Sequence, residues 1–241
     1  MYSSMRDNDE YLYRFRAYEL EISPEEIIEF IDKNHRGAGK EYKSLTRDLL
    51  AYIPDDHEYK GELKVFYKLC FEDSTSSLRI NNIDFKLAEI LYNEMRKSEM
   101  TAFFVCTAGN IFSDLSKRFT AEGDYLKAYI IDIAGNIAVT ATATMIHRKI
   151  TEEAGRIGMR TTNYYCPGNC GWNINEQQKV FEMLSGHYSG VMLSEVNLMY
   201  PVKSISAIVG IGKHVSFREN TCELCHNIKC PYRNKSHQEG K

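Results

Sequence analysis

The stretch at residues 164–172, with the sequence YYCPGNCGW, restricts the backbone more than any other part of this chain. Proline holds φ near about −65° and glycine tolerates positive φ, so Pro167-Gly168 predicts a tight turn. Cys166 and Cys170 flank that turn. We therefore expect a turn that holds the backbone where a ligand can approach it. A plain strand-to-helix turn with two buried cysteines is the alternative.

The composition is that of an ordinary globular protein. With 43% hydrophobic and 26% charged residues, the 241-residue chain is expected to form one large or two small domains. A formal net charge of −3 argues against a general nucleic-acid binder. No apolar run approaches the ~20 residues of a membrane span, and the first residues lack the apolar core of a signal peptide, so we predict a cytoplasmic protein without a membrane partner. Seven cysteines in that compartment favour metal or redox chemistry over disulfides.

Capping signals and apolar periodicity predict six helices. They cover residues 24–34, 41–52, 85–97, 111–119, 124–155 and 175–184. The fifth is the longest, is capped by Asp124, and carries small apolar residues in its first half, which predicts a buried central helix. His147 on this helix, and Lys203 further along the chain, are expected at the surface.

Short β-rich stretches predict the strands. They cover residues 62–71, 77–85 with a turn at Asn81-Asn82, 100–107, 191–195 and 204–211. Helices and strands mix without a regular βαβ alternation, which predicts an α+β fold around a mainly antiparallel sheet with flanking helices. We expect three parts: an N-terminal helical segment packed on the core (residues 1–60), the core (61–220) and a cysteine-rich tail (221–241).

The tail carries a metal-binding pattern. Cys222, Cys225 and Cys230 follow C-x2-C-x4-C, and a C-x2-C turn brings both sulfurs to one side. A closed tetrahedral site needs a fourth ligand, for which Cys170 or Cys166 is the best candidate. Histidines that could replace it are His214, His226 and His237. Four thiolates suit zinc or an iron–sulfur cluster, and a tail without metal is the alternative.

Five pieces of the sequence together point to a known family. They read TAFFVCTAGNIFSDLS, GDYLKAYIIDIAGNIAV, YYCPGNCGW followed by EQQKVFEML, LSEVNLMYPVKSISAIVGIG, and CELCHNIKCPYR. In these pieces and their order, the chain from about Met100 onward resembles the reactivation domain of cobalamin-dependent methionine synthase, in a stand-alone form. The match covers more than half of the chain, and residues 1 to about 60 carry little of it.

The resemblance implies a twisted antiparallel sheet and S-adenosylmethionine as ligand. It implies reactivation of a corrinoid (cobalamin) methyltransferase, in which S-adenosylmethionine is positioned for reductive methylation of cob(II)alamin. The partner would be a corrinoid-binding methyltransferase protein that supplies the cobalamin, and the electron would come from a flavodoxin-like protein or a ferredoxin. The implied ligand contacts are Tyr164, Cys166, Pro167, Gly168, Asn169, Glu195 and Tyr200.

The chain departs from the family pattern at two polar positions of the turn. The family turn usually reads Arg-x-x-Pro-Gly-Tyr, in which the arginine suits the ligand's carboxylate; here Tyr164 and Asn169 stand at its first and last positions. Arg156 or Arg160 is a possible substitute, although a surface arginine is the commoner interpretation of both. Two other functions therefore stay open: a corrinoid-docking iron–sulfur redox relay without S-adenosylmethionine, and a zinc-stabilised interaction module without catalysis.

Overall fold

The main sheet has five strands, and every neighbouring pair is antiparallel. The computed structural model describes residues 9–34, 39–184 and 189–218. Across the sheet the order is β1 (Glu10–Phe15), β2 (Tyr59–Phe66), β6 (Met100–Thr107), β10 (Ser204–Gly212) and β7 (Arg160–Tyr165). This arrangement confirms the predicted α+β class with a mainly antiparallel sheet.

Two smaller antiparallel sheets complete the described strands. One consists of β3 (Cys70–Glu72), β4 (Ser77–Ile80) and β5 (Ile83–Lys86), and the other of β8 (Met192–Leu193) and β9 (Met199–Tyr200). Asn81 and Asn82 have φ of 46° and 68°, the left-handed conformation that a two-residue hairpin turn requires. The predicted turn is confirmed, and it joins two strands where one was expected.

All six predicted helices are present. They are α1 (Pro24–Asn34), α2 (Gly39–Leu50), α3 (Glu89–Met95), α4 (Ile111–Ala121), α5 (Tyr125–Arg156) and α6 (Glu176–Met183), and a short 3-10 turn lies at Ala17–Glu19. Helix α3 is shorter than predicted because β5 occupies the preceding residues. Asp124 caps α5 as expected, since its carboxylate accepts a hydrogen bond of 3.1 Å from the Lys127 backbone N–H.

Helices and the small three-stranded sheet cover the main sheet on both faces. On one face α5 lies across β2, β6, β7 and β10, and α1, α2 and α4 pack around it. Buried small residues such as Ala134, Ala138 and Ala143 let α5 approach the sheet closely. On the other face, α3, α6 and the β3–β5 sheet enclose an aromatic core that includes Phe85, Phe103 and Trp172. Two apolar layers therefore hold the sheet between them.

Helix α5 also has the length and apolar composition of a membrane-spanning segment, contrary to the expectation that no stretch of the chain does. Of its most apolar 18-residue window, 56% is buried within the fold. A core helix of a folded domain has the same properties, and α5 occupies that position here.

Two side chains expected at the surface are buried. His147 is 8% exposed and its ring Nε2 hydrogen-bonds the Thr162 carbonyl oxygen at 2.7 Å, because this side of α5 faces β7. Lys203 is 6% exposed. A Cβ at Gly135 would lie 3.0 Å from the Lys203 Cε, so the missing side chain on α5 makes room for the lysine. Both surface predictions were wrong.

Strand β1 was not predicted. Its sequence EYLYRF does alternate, and its residues pair with β2 from Glu10↔Lys64 to Phe15↔Tyr59. The segment before residue 60 therefore contributes an edge strand to the main sheet as well as two helices.

Candidate ligand site at the open edge of the main sheet

The first residues of β10 have a strand neighbour on one side only. Strand β10 pairs with β6 from Ser204 to Ile211, but its pairing with β7 begins only at Ile208, opposite Tyr165. Strand β7 ends at Tyr165 because Cys166-Pro167 turns the chain away. An unpaired strand edge exposes backbone N–H and C=O groups. Residues 204–207 thus form an open edge beside the turn.

The predicted tight turn at Pro167-Gly168 is confirmed. Gly168 has φ of 91°, which an L side chain rarely adopts. Backbone hydrogen bonds close the loop: Asn169 N–H donates to Cys166 O at 3.0 Å, and Gly168 N–H donates to Trp172 O at 2.8 Å. The Trp172 side chain is buried in the core on the α6 face, so the turn is anchored at its far end.

A cavity of about 510 Å³ lies between the open edge, the turn, the start of α6 and the β8–β9 hairpin. It brings together five of the seven predicted ligand contacts: Tyr164, Cys166, Pro167, Asn169 and Tyr200. The other two do not line it. Gly168 is exposed within the turn, where an added Cβ would meet Ile174 at 3.2 Å, and Glu195 is exposed in the β8–β9 loop.

The cavity is electrically neutral. Among the described residues, no aspartate, glutamate, lysine or arginine side chain lines it. Burial, together with the nearby Cys170, raises the pKa of the Cys166 thiol to about 12. Burial, together with the nearby Cys166, raises the pKa of the Tyr164 hydroxyl to about 12. Both groups therefore stay protonated near pH 7, and polarity in the cavity comes from hydroxyl and amide groups.

Two residues that line the cavity each carry a buried side-chain atom with no hydrogen-bond partner within the described parts of the chain: Ser206 Oγ and Asn197 Oδ1. Ser206 is 2% and Asn197 9% exposed. Neither residue was singled out from the sequence. The sequence signals them only as polar residues: Ser206 lies within the mostly apolar strand β10, and Asn197 lies just before β9.

A larger groove of about 780 Å³ continues the cavity toward α1 and α5. Both depressions share Thr140, Val202, Ser204 and Ile205. The charged side chains that line the groove are Glu19, Glu21, Glu26, Glu29, Arg148 and Lys203. Neither arginine suggested by the sequence lines either depression: Arg156 pairs with Glu153, and Arg160 lies at the opposite end of β7.

The predicted metal site falls mostly outside the described residues. Cys222, Cys225 and Cys230 lie there, as do His226 and His237. Cys170 is described, in the turn, and His214 is exposed after β10. Within residues 9–34, 39–184 and 189–218, no group of three or more histidine, cysteine, aspartate or glutamate side chains is arranged to hold a metal ion. The metal site stays a prediction.

The last described residues are bound to the strand that leads into the turn. Asn163 on β7 donates from Nδ2 to the Arg218 carbonyl oxygen at 2.8 Å and accepts from the Arg218 N–H at 2.9 Å. Arg218 also donates from Nε to Glu94 at 3.0 Å. The end of the described chain is therefore fixed against β7, the strand that precedes Cys166 and Cys170.

Comparison with known proteins identifies the fold. No family model matches this chain, and no curated protein does. Among solved structures, the crystal structure of the MetH reactivation domain bound to AdoHcy is similar, with a TM-score of 0.64 over 88% of this chain and 81% of that chain. Sequence identity is 13%, so the likeness concerns the fold and not individual side chains. The chain has the fold of a MetH reactivation domain.

Proposed function

We propose that this chain binds S-adenosylmethionine in the cavity at the open edge of β10 and takes part in the reactivation of a corrinoid methyltransferase. The similar MetH domain was solved with AdoHcy, the demethylated form of that ligand. The observation that carries the proposal is the cavity itself: five residues chosen from the sequence as ligand contacts line one space of about 510 Å³. That volume lies within the usual range for small-molecule sites, about 300–1,000 Å³.

The residues present suit most of this ligand. Apolar walls from Ile174, Leu198 and Tyr200 can contact a flat ring, and the open backbone edge of β10 offers hydrogen bonds to its polar groups. The carboxylate finds no cation inside the cavity. Arg148 in the adjoining groove is the cation we assign to it, because its ion pair with Glu152 at 3.8 Å is longer and more exposed than the pair of Lys203 with Asp132 at 2.6 Å.

In this proposal the chain positions the reactants and excludes water. When bound, S-adenosylmethionine would supply a methyl group to the cobalt of the partner's cob(II)alamin, together with one electron from a donor protein, and would leave as S-adenosylhomocysteine. The turn and the open edge hold the ligand in place, and the apolar walls limit water around it.

The mouth of the cavity suits a protein partner. Ile174, Leu198, Tyr200 and Val202 line the cavity and are also exposed to solvent. Met192 and Val196, which belong to the β8–β9 hairpin together with Leu198 and Tyr200, are exposed as well. Contiguous exposed apolar side chains are typical of interaction surfaces. We place the corrinoid protein here, over the ligand.

Calorimetric titration with S-adenosylmethionine tests the binding step. Thr140 lies at the junction of cavity and groove, so Thr140→Phe should block the ligand and weaken binding at least about tenfold, or ~1.4 kcal/mol. The matched control is Thr120→Phe. Both threonines are exposed on helices and donate from Oγ1 to the carbonyl four residues earlier at 2.8 Å, but Thr120 lies away from the cavity.

Three outcomes would overturn the proposal. The first is no heat of binding at millimolar S-adenosylmethionine. The second is equal affinity of wild type and both phenylalanine variants for this ligand. The third is no methylcobalamin absorbance when wild type is combined with a cob(II)alamin-loaded corrinoid protein, S-adenosylmethionine and a chemical reductant. The last assay also separates methyl transfer from simple binding, because Thr140→Phe should abolish it and Thr120→Phe should not.

A further inference from the structure

Strand β1 lies at the outer side of the main sheet, and one of its edges is open. It pairs with β2 from Glu10↔Lys64 to Phe15↔Tyr59 without a bulge, and no strand in the described parts of the chain pairs with its other edge. An open edge presents backbone N–H and C=O groups to any second strand. Proteins often block such an edge with a bulge or a proline, and β1 has neither. The strand is therefore able to accept another strand.

The backbone phase of β1 determines which residues face that edge. The Val65 N–H donates to the Asp9 carbonyl oxygen at 3.1 Å, so these two opposed residues form a hydrogen-bonded pair. Such pairs recur at every second residue of an antiparallel ladder. The N–H and C=O groups of the odd-numbered residues of β1 therefore point to β2, and those of Glu10, Leu12 and Arg14 point to the open edge.

The side chains of this stretch are self-complementary about Leu12. Glu10 lies two residues before it and Arg14 two residues after it, and all three are exposed, Leu12 by 51%. Beyond Arg14, the Arg16 N–H donates to the Glu19 carboxylate at 2.8 Å, which ends the open stretch. If a two-fold axis through Leu12 relates two antiparallel copies of β1, each Glu10 lies opposite Arg14 of the other copy and Leu12 lies opposite its own counterpart.

The same register suits the backbone and the second face of the sheet. Its three pairs join residues whose backbone groups all point to the open edge, so each pair can exchange two N–H···O=C hydrogen bonds. On the face toward α5, Tyr11 of one copy lies opposite Tyr13 of the other; both are half-buried, and cross-strand aromatic pairs stabilise sheets. The two adjacent registers that keep this backbone phase would place Leu12 opposite Glu10 or Arg14 instead.

The surroundings of Arg14 favour an added carboxylate. The Glu58 carboxylate serves three cations, at 3.7 Å from Arg14, 3.5 Å from Arg16 and 3.7 Å from Lys60. Arg14 also lies opposite Lys60 in the ladder, and like charges in opposed positions destabilise a sheet. Glu10 of a second copy would bring a further carboxylate to this cation-rich end of β1.

We propose that this chain forms a two-fold dimer in which the β1 strands of two copies pair antiparallel about Leu12 and join the two five-stranded sheets into one continuous sheet. The Leu12 side chains meet at the axis, and an ion pair between Glu10 and Arg14 lies on either side of it. The ligand cavity lies at β10, three strands away from β1 in the sheet order. The dimer is therefore independent of the proposed function.

Analytical ultracentrifugation of the full chain over a range of concentrations measures the dimer, with thermal unfolding of every variant recorded in parallel. Wild type should sediment with the mass of two chains. Glu10→Arg places an arginine opposite Arg14 of the second copy, and Arg14→Glu places a glutamate opposite Glu10. Because like charges then face each other, each variant alone should dimerise at least about tenfold more weakly than wild type.

Two combinations of these substitutions restore the opposite charges in the proposed register. An equal mixture of Glu10→Arg and Arg14→Glu, with one of them fluorescently labelled, should form a heterodimer, because both arginines of one chain then lie opposite both glutamates of the other. The double variant that carries both substitutions should dimerise about as strongly as wild type, because its two charges have only exchanged places.

Leu12→Lys tests the axis itself. Two ammonium groups would meet there, so dimerisation should weaken at least about tenfold while the unfolding midpoint of the monomer changes little. The matched control is Leu126→Lys, because Leu126 is also an exposed leucine, by 41%, but lies at the start of α5. The tyrosines of β1 lie near Glu153, at the opposite end of that helix. Leu126→Lys should dimerise like wild type.

A monomeric wild type overturns the inference. So does undiminished dimerisation of either charge reversal or of Leu12→Lys, since the dimer would then use another surface. Failure of the two charge-reversed variants to associate with each other overturns the proposed register. A monomeric wild type whose Leu12 amide is protected from hydrogen exchange would assign the open edge to another segment of this chain, and would overturn the inference as well.

Discussion

The ion pair between the buried Lys203 and the half-exposed Asp132 should respond asymmetrically to mutation. Lys203 Nζ donates to Asp132 Oδ1 at 2.6 Å and to Asn136 Oδ1 at 2.8 Å. The lysine side chain is 7% exposed and that of the aspartate 49%. Removing the aspartate therefore strands an ammonium in a buried site, whereas removing the ammonium leaves a carboxylate that water can reach.

The expected magnitudes follow from this difference. Breaking a fully buried ion pair costs about 3–5 kcal/mol; because Asn136 remains as a neutral acceptor, we expect Asp132→Ala to cost about 2–3 kcal/mol. Lys203→Met keeps the apolar stem in place and should cost about 1 kcal/mol or less, since the exposed partner is rehydrated. The double variant should unfold like Lys203→Met, because no charge is left stranded.

Urea unfolding of the three variants and wild type measures these free energies, provided that the m-values agree. The reasoning would be refuted if Lys203→Met lost as much free energy of unfolding as Asp132→Ala, or more. So would a double variant less stable than Asp132→Ala. Either result would mean that the lysine ammonium is better hydrated than its burial indicates.

Three further predictions concern packing, pH and reactivity. In urea unfolding, Gly135→Ala should destabilise the fold by about 1–2 kcal/mol, because the added Cβ would lie 2.8 Å from the Phe112 Cβ. Gly155→Ala on the same helix has nothing within 4 Å of the added Cβ, so it should stabilise the fold by about 0.5–1 kcal/mol. Burial lowers the pKa of His147 from its ordinary value of 6.5, so its neutral form is favoured in the fold. The contribution of His147 to the free energy of unfolding should be fully present above that value and be lost as the pH falls below it, by at most about 1.4 kcal/mol per pH unit. In unfolding curves at about pH 7.5 and 5.5, His147→Gln should lose less stability at the lower pH than wild type. An unchanged loss would contradict the assignment. The raised pKa of Cys166 should make it alkylate far more slowly than the exposed Cys70 in peptide mass spectrometry, and equal rates would contradict its protonated, half-buried state.

Local signals in the sequence were sufficient for much of the fold. At the start of α1, Ser23 Oγ accepts a hydrogen bond from the Glu26 N–H at 3.2 Å. This cap and the Asp124 cap of α5 depend on neighbours along the chain, and the structure confirms both helices. The turn at Pro167-Gly168 is likewise a property of its own residues. The antiparallel class followed from the mixed order of elements, which the sheet confirms.

Features that depend on distant residues could not be predicted in this way. Lys203 is buried because Gly135, 68 positions earlier, leaves space for it. Strand β1 forms because β2, some fifty residues later, offers it an edge. The unpartnered state of Ser206 Oγ and Asn197 Oδ1 is visible only once every other polar group around them has been paired.

The most direct test of ligand binding at the open edge of β10 is an NMR measurement on S-adenosylmethionine with an isotope-labelled methyl group. We expect nuclear Overhauser contacts between that methyl group and the ring protons of Tyr164 or Tyr200, present in wild type and Thr120→Phe and absent in Thr140→Phe. A methyl signal that contacts neither ring, or whose contacts survive in Thr140→Phe, would contradict ligand binding at this site.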